Sequence, residues 1–173
     1  MSEFSSGPPK GSLISALVQM ERVNSIRDPV AQGTLGLRLF AAKHEEESKE
    51  VKRALGNFIT FCDKFIEAVD YEKAAQEKNV ALADELQKRI LRDPGTFTAV
   101  FSIFDKGSRV RLYPQIQKTR GTVTTIVDGK QPPERAVTDS LNVIKHLYKE
   151  IVARTINQER TAEKIIRGRA AIL

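Results

Sequence analysis

The chain contains 173 residues, of which 40% are hydrophobic and 29% are charged, as in an ordinary globular domain. Its 28 Lys and Arg residues against 22 Asp and Glu residues give a net charge of +6, which permits binding to a polyanion without requiring it. The single cysteine, Cys62, excludes an intrachain disulfide and suggests a reducing compartment, and no apolar run is long enough to span a membrane.

The sequence predicts one helical domain with an extension at each end. Residues 1–11, MSEFSSGPPKG, are rich in Ser, Gly and Pro and lack the layout of a secretory signal, so they are predicted to form a flexible arm. Residues 12–156 carry the helical patterns and are assigned to the domain. Residues 157–173 are predicted to form a basic, partly apolar tail.

The first part of the domain predicts two helices. Ser12 is a candidate N-cap, and one face of the helix that follows carries Leu13, Leu17, Met20 and Val23. The Asp-Pro pair at 28–29 is typical of an N-cap followed by the first helical position, so a second helix is predicted from there to about Lys43. Gly33 and Gly36 either weaken this second helix or mark a close contact between helices.

The clearest helical pattern lies in residues 48–70. Apolar residues recur there at spacings of 4-3-4-3-4, at Val51, Leu55, Phe58, Cys62, Phe65 and Val69. This stripe is predicted to be the core face of a helix, although a docking face for a partner helix is an alternative. After a break around residues 70–79, a further helix is predicted from Leu82, Leu86 and Ile90.

The second half of the domain is more ambiguous. Residues 96–104, TFTAVFSIF, fit either a strand or a short buried helix. Residues 109–127 are predicted to form a β-hairpin, with a long mobile loop as the alternative, because TVTTIVDGK is rich in β-branched residues and closes with Asp-Gly. Pro132 and Pro133 introduce the last long helix. The predicted fold is therefore mainly α and similar to a four-helix bundle, with a small hairpin or loop between the last two main helices.

Basic charge is concentrated in the second half of the chain. Residues 44–93 have a net charge of −3, residues 94–134 have +3 and residues 135–173 have +4. The predicted hairpin or loop holds a group of bases: Arg109, Arg111, Lys118, Arg120 and Lys130. Arginine forks suit phosphate oxygens, and binding residues often lie on loops, but a solvated basic face is the plainer interpretation.

No catalytic or metal-binding pattern is present in the sequence. His44 precedes Glu45–Glu47, but the second His of a helical zinc motif is missing. His146 is predicted to be a surface or boundary residue, and Cys62 a core residue. No glycine loop with a Gly-Lys-Ser/Thr ending occurs, so we predict a protein that is not an enzyme and has no metal or cofactor.

Two stretches carry a family resemblance. An apolar segment ends in Phe-Asp at 104–105, and Arg109 follows four residues after the aspartate. After a polar loop, the last helix opens with an Arg-x-Val-x-Asp pattern formed by Arg135, Val137 and Asp139 and followed by Ile144 and Lys145. The combination resembles the coat proteins of rod-shaped plant viruses, the tobacco mosaic virus type. It covers roughly residues 96–152, and Gly107 stands where that family commonly has another arginine.

The resemblance implies a bundle of four helices set radially in a helical rod, with single-stranded RNA in a groove between stacked subunits. Arg109 and Arg111 would contact RNA phosphates, and Asp105 and Asp139 would lie near the RNA and subunit contacts. The second choices as RNA contacts are Lys118, Arg120 and Arg135. We therefore expect a virion protein that assembles in the host cytoplasm by self-association and has no membrane partner.

Two alternatives stay open at the level of sequence. The first is a small helical RNA-binding subunit of a cellular ribonucleoprotein complex, which would bind beside partner proteins and form no rods. The second is a helical protein–protein adaptor that docks a partner helix on the stripe of residues 51–69.

Overall fold

A computed structural model of the chain describes residues 13–43 and 48–172, and these are almost entirely helical, with no β-strand among them. The predicted arm and the Glu45–Glu47 run lie outside the described residues. The helices are α1 Leu13–Ala41, α2 Ser48–Gln76, α3 Val80–Arg92, α4 Pro94–Ile103, α5 Lys106–Val127 and α6 Glu134–Ile172. The prediction of a mainly α protein is confirmed.

Helix α2 supplies much of the hydrophobic core. The predicted stripe is buried from Val51 to Phe65, and Val69 is partly buried against it, so the stripe is the core face of α2. Phe61 lies between the rings of Phe58 and Phe65, with centroid distances of 6.2 and 6.1 Å. Phe65 also meets Phe104 edge to face at 5.7 Å, which fixes the end of α4 against α2.

The four long helices contact one another in the order α1, α2, α5 and α6, and α6 returns to α1. The short helix α3 packs mainly on α2, while α4 packs on α1 and α2. At one end of the molecule, α1 and α5 finish where α2 and α6 begin, and we call this the loop end. At the opposite end, which we call the α4 end, α2 finishes beside the start of α5. There Lys106 Nζ donates to Gln76 Oε1 at 3.4 Å.

Helix α1 differs from the two predicted helices because it continues through Pro29. A proline inside a helix lacks the N–H for the helical hydrogen bond and costs about 3 kcal/mol. Here Ile26 and Val30, on either side of it, are both fully buried, so packing compensates for this local cost. Gly33 and Gly36 lie against α2, and a Cβ on either would come within 2.6 Å of a Phe58 or Leu55 side-chain atom. The alternative of a close helix contact is therefore confirmed.

Helix α5 replaces the predicted hairpin or loop, and that prediction is wrong. The β-branched residues are accommodated because the buried positions follow a helical 4-3-4-3 spacing, at Leu112, Ile116, Thr119, Val123 and Ile126. Thr125 Oγ1 donates to the carbonyl of Gly121 at 2.9 Å, so its hydroxyl is satisfied within the helix. The Asp-Gly pair forms a helix C-terminus: Gly129 has φ +83°, and Lys130 N donates to the Thr125 carbonyl at 3.0 Å.

The remaining boundaries follow the sequence more closely. The break between α2 and α3 falls between Gln76 and Val80, and the side chain of Asn79 caps α3 by accepting from Leu82 N at 3.3 Å. The ambiguous TFTAVFSIF segment is mostly the buried helix α4. Helix α6 begins directly after Pro133 and continues to Ile172, so residues 157–172 of the predicted tail extend the same helix.

Candidate nucleic-acid interface

Helix α5 carries five basic residues and no acidic residue in its 22 positions. The bases are Lys106, Arg109, Arg111, Lys118 and Arg120. The exposed Asp105 is the N-cap, and its carboxylate accepts from Ser108 N at 2.7 Å. This hydrogen bond is the main cause that lowers the pKa of Asp105, so the carboxylate that was predicted to lie near RNA also caps α5.

Arg109 is buried, and its guanidinium is bonded within the chain. Its Nε and Nη2 donate to the two carboxylate oxygens of Glu72 on α2, at 2.6 and 2.8 Å. Its Nη1 donates to the carbonyls of Phe101, at 3.2 Å, and Phe104, while its Cζ lies 5.2 Å from the centroid of the Phe101 ring. With only 9% of the side chain exposed, Arg109 does not fit its predicted role as a phosphate contact. It instead ties α4 and α5 to α2.

Further polar pairs join α5 to α2 along the interface between these two helices. Arg120 Nε donates to a carboxylate oxygen of Asp63, and the Tyr113 hydroxyl donates to Asp70 Oδ1 at 2.7 Å. Burial, followed by this hydrogen bond to Asp70, raises the pKa of Tyr113 to about 12. Part of the positive charge of α5 is therefore balanced by acids of α2.

Arg111 and Lys118, like Lys106, are α5 bases with exposed side chains. Arg111 Nη2 lies 3.3 Å from Glu150 Oε1 on α6, but 56% of its side chain is exposed, so the pair is open to solvent. Lys118 is exposed and forms no ion pair with any residue of the described ranges. Both side chains could therefore reach an external polyanion without unfolding the helix.

The Arg-x-Val-x-Asp segment lies at the other end of the molecule. Arg135 and Asp139 are in the first turns of α6, at the loop end, where Arg135 Nε is 3.9 Å from Asp139 Oδ2 and 93% of the arginine side chain is exposed. Helix α5 rises about 27 Å between Arg109 and Val127. The predicted RNA contacts are thus distributed along α5 and onto the start of α6 and do not form one cluster.

A small cavity that the sequence did not indicate lies between α2 and α5 at the α4 end. It has a volume of about 330 Å³, and we call it the seam cavity. Its lining combines apolar side chains with charged and amide groups: Val69, Asp70, Glu72, Lys73, Gln76, Lys106, Val110 and Tyr113. No sequence pattern could have revealed it, because it is formed by positions 30 to 44 residues apart in the chain.

A larger cavity of about 810 Å³ lies at the loop end. Its walls include Leu39, Val51 and Val137, and three lysines also line it, at positions 43, 52 and 130. Lys43 and Ser48, the described residues on either side of positions 44–47, both line this cavity. Lys130, which the sequence grouped with the other bases, therefore belongs to the loop end.

The described residues offer no group of three or more His, Cys, Asp and Glu side chains that could hold a metal ion. Cys62 is fully buried, and burial is the main cause that raises the pKa of its thiol, so the reactive thiolate is disfavoured. His146 is exposed on α6, as predicted for a surface residue. His44 lies outside the described residues.

Within the described part of the chain, no helix combines the length and apolarity that crossing a membrane requires. Comparisons with protein-family models, curated proteins and solved structures found no match for this chain.

Proposed function

We propose that this chain is a coat or nucleocapsid protein that is not an enzyme and that self-associates into a helical filament or rod around single-stranded RNA. The observation that carries this proposal is the charge of α5, which has five bases and no acid and begins at the Phe104-Asp105 junction. The resemblance of residues 96–152 to rod-shaped virus coat proteins supports it. On this proposal the protein is a virion component that assembles in the host cytoplasm.

The proposed RNA contacts are Arg111, Lys118 and Arg135, because their side chains are accessible. Arg120 is a secondary contact, since Asp63 already engages its Nε. Phosphate contacts of this kind carry little sequence information, so binding would be largely independent of RNA sequence. Arg109 is assigned to holding α5 in place.

We propose that α1, α2, α5 and α6 act as the four-helix bundle of the subunit, because these long helices contact one another in closed order. A few accessible cations on one subunit would bind RNA weakly. In a polymer, every subunit repeats the same contacts along one strand, so the weak contacts add. Self-association and RNA binding would therefore strengthen each other.

Negative-stain electron microscopy of the purified chain, with and without single-stranded RNA, tests this proposal. We expect uniform rods or filaments in the presence of RNA, and an ultraviolet spectrum of the isolated particles that contains a nucleic-acid contribution. Discrete monomers that neither retain nucleic acid nor bind RNA in a salt-dependent manner would contradict the proposal.

The same images separate the alternatives. A cellular ribonucleoprotein subunit would bind RNA in a salt-dependent manner but would form no filaments. The adaptor hypothesis required the stripe of residues 51–69 as a docking face, and that stripe is buried in the core or packed against it. No exposed stripe on α2 then supports docking of a partner helix.

A further inference from the structure

The two lysines that line the seam cavity lack the carboxylate partners that most other bases of this region have. Lys73 on α2 and Lys106 on α5 are exposed, and neither forms an ion pair with a carboxylate of the described residues. Lys106 donates only to the neutral Gln76 amide. Two lysine ammonium groups therefore line one small cavity without a direct ion-pair partner among the described residues.

The cavity also has an apolar and aromatic wall. Val110 is 58% exposed in the first turns of α5, where it lines the cavity together with the partly buried Val69. Tyr113 lines the cavity one turn farther along α5, with its hydroxyl held by Asp70. A ligand that covered these side chains would remove apolar surface from water, so a ligand with an apolar part is favoured.

We propose that the seam cavity binds one nucleotide of single-stranded RNA, with the base against Val69, Val110 and Tyr113 and the phosphate between Lys73 and Lys106. This inference rests on the proposed RNA-coat function and names a site for it. Bases can pack on an aromatic side chain without regard to sequence, and each such contact is worth about 1–3 kcal/mol. The Gln76 side-chain amide adds a donor and an acceptor for the edge of the base.

The acids of the cavity do not prevent phosphate binding. Glu72 is bonded at both carboxylate oxygens by Arg109, which offsets its charge, and Asp70 accepts the hydroxyl of Tyr113. If Arg109 is counted with the groups that line the cavity, three positive charges stand against the two carboxylates, which leaves an excess of one positive charge at the cavity. The volume of about 330 Å³ lies at the small end of the range for ligand sites, which fits one nucleotide rather than a larger ligand.

The test uses the full chain freed of nucleic acid and titrated with adenosine 5′-monophosphate, with amide chemical shifts recorded by nuclear magnetic resonance. We expect saturable shifts centred on residues 69–76 and 106–113. Adenosine alone and inorganic phosphate alone should each bind at least about ten-fold more weakly, because each lacks one half of the recognised chemistry. Equal binding of inorganic phosphate, or shifts spread over the whole surface, would overturn the proposal.

A pair of variants tests the assigned lysines. The double change Lys73→Gln with Lys106→Gln should weaken nucleotide binding by about ten-fold or more. The matched control is Lys49→Gln with Lys88→Gln, which removes the same charge at exposed positions outside the cavity and should leave the affinity within about two-fold. Equal losses in the two double variants would show a general charge effect and overturn the site.

Electron microscopy of the same proteins keeps this inference distinct from the proposed function. Suppose that the parent protein and the Lys73/Lys106 double variant both form rods with RNA, but the nucleotide does not bind. Only the seam-cavity assignment then fails. If the nucleotide binds at the cavity but no RNA filament forms, the coat function fails while the cavity stands as a nucleotide site. A glutamate-rich peptide that binds as tightly as the nucleotide would overturn the nucleotide assignment.

Discussion

Arg109 and Glu72 are joined by two parallel hydrogen bonds, from Nε to Oε1 at 2.6 Å and from Nη2 to Oε2 at 2.8 Å. The arginine comes from the start of α5 and the glutamate from the last turns of α2, 37 residues earlier. Since the same guanidinium also binds carbonyls at the end of α4, one side chain fixes three helices. This geometry makes Arg109 a structural residue of the folded protein in the absence of RNA.

Glu72→Ala should destabilise the protein by about 3 kcal/mol, the lower end of the range for breaking a buried ion pair, because Glu72 itself is partly exposed. The loss arises because the Arg109 charge would stay largely buried without its partner. Chemical denaturation measures the change. Glu150→Ala is the control: it removes the partner of the more exposed Arg111 and should cost less than about 1 kcal/mol. Equal costs would show that the Arg109–Glu72 pair has no special structural role.

Gly33→Ala should destabilise the protein by about 1–3 kcal/mol, because the added Cβ would lie 2.6 Å from the Phe58 ring in a fully packed contact. Gly56→Ala is the matched control, since Gly56 is also inside a helix and a Cβ there meets nothing within 4 Å. That control should be stabilising by about 0.5–1 kcal/mol. Thermal unfolding of both variants checks the close contact of α1 with α2, and a neutral Gly33→Ala would contradict it.

Tyr113 should titrate at unusually high pH. Because burial and the hydrogen bond to Asp70 raise its pKa from 10 to about 12, the stability from this shift is complete below pH 10 and is lost as pH rises through about 12. Ultraviolet titration of the phenolate band, with Tyr113→Phe to assign the transition, measures it. Asp70→Asn should move the transition to lower pH, and an unchanged transition would argue against the Asp70 contribution.

Asp105 should stabilise the protein at neutral pH and lose this contribution in acid. Its pKa is lowered chiefly by the hydrogen bond from Ser108 N, so its contribution is complete above the ordinary aspartate pKa and is lost as pH falls through the lowered value. Asp105→Asn keeps a side-chain acceptor for the cap without the titrating charge. We therefore expect the melting temperature of this variant to fall less steeply between pH 5 and pH 2 than that of the parent chain. Parallel curves would contradict the assignment.

Removal of the accessible cations should change the salt dependence of RNA binding. The triple change Arg111→Gln, Lys118→Gln and Arg135→Gln should make the slope of log affinity against log salt shallower by about 2, because fewer phosphate counterions are released. Filter binding at several salt concentrations measures the slope. Lys49→Gln, Lys88→Gln and Lys149→Gln together form a charge-matched control at other exposed positions. If the control variant's slope of log affinity against log salt became shallower by the same amount, RNA contacts would be spread over the whole surface.

Several elements could be predicted because each depends on a pattern of residues that are close together in the sequence. The stripe from Val51 to Phe65 indicated α2 and its core face, and the proline pair before α6 marked a helix start. The same local reasoning failed at α5, where β-branched residues suggested strands. The helical spacing of Leu112, Ile116, Val123 and Ile126 was present, but Thr119 interrupts that apolar stripe and lies buried within it. Tertiary burial outweighed the β-propensity of individual residues.

The sequence by itself determined the helical class, the core face of α2 and the concentration of bases in the second half, because periodicity and charge are properties of neighbouring positions. Only the tertiary structure decided which bases are accessible. Arg109 and Arg111 are two residues apart in the chain, yet α2 buries one against Glu72 while the other remains largely open to solvent. The reason is geometric: residues two positions apart on a helix lie about 200° apart around its axis, so they face different neighbours, and those neighbours come from distant segments of the chain.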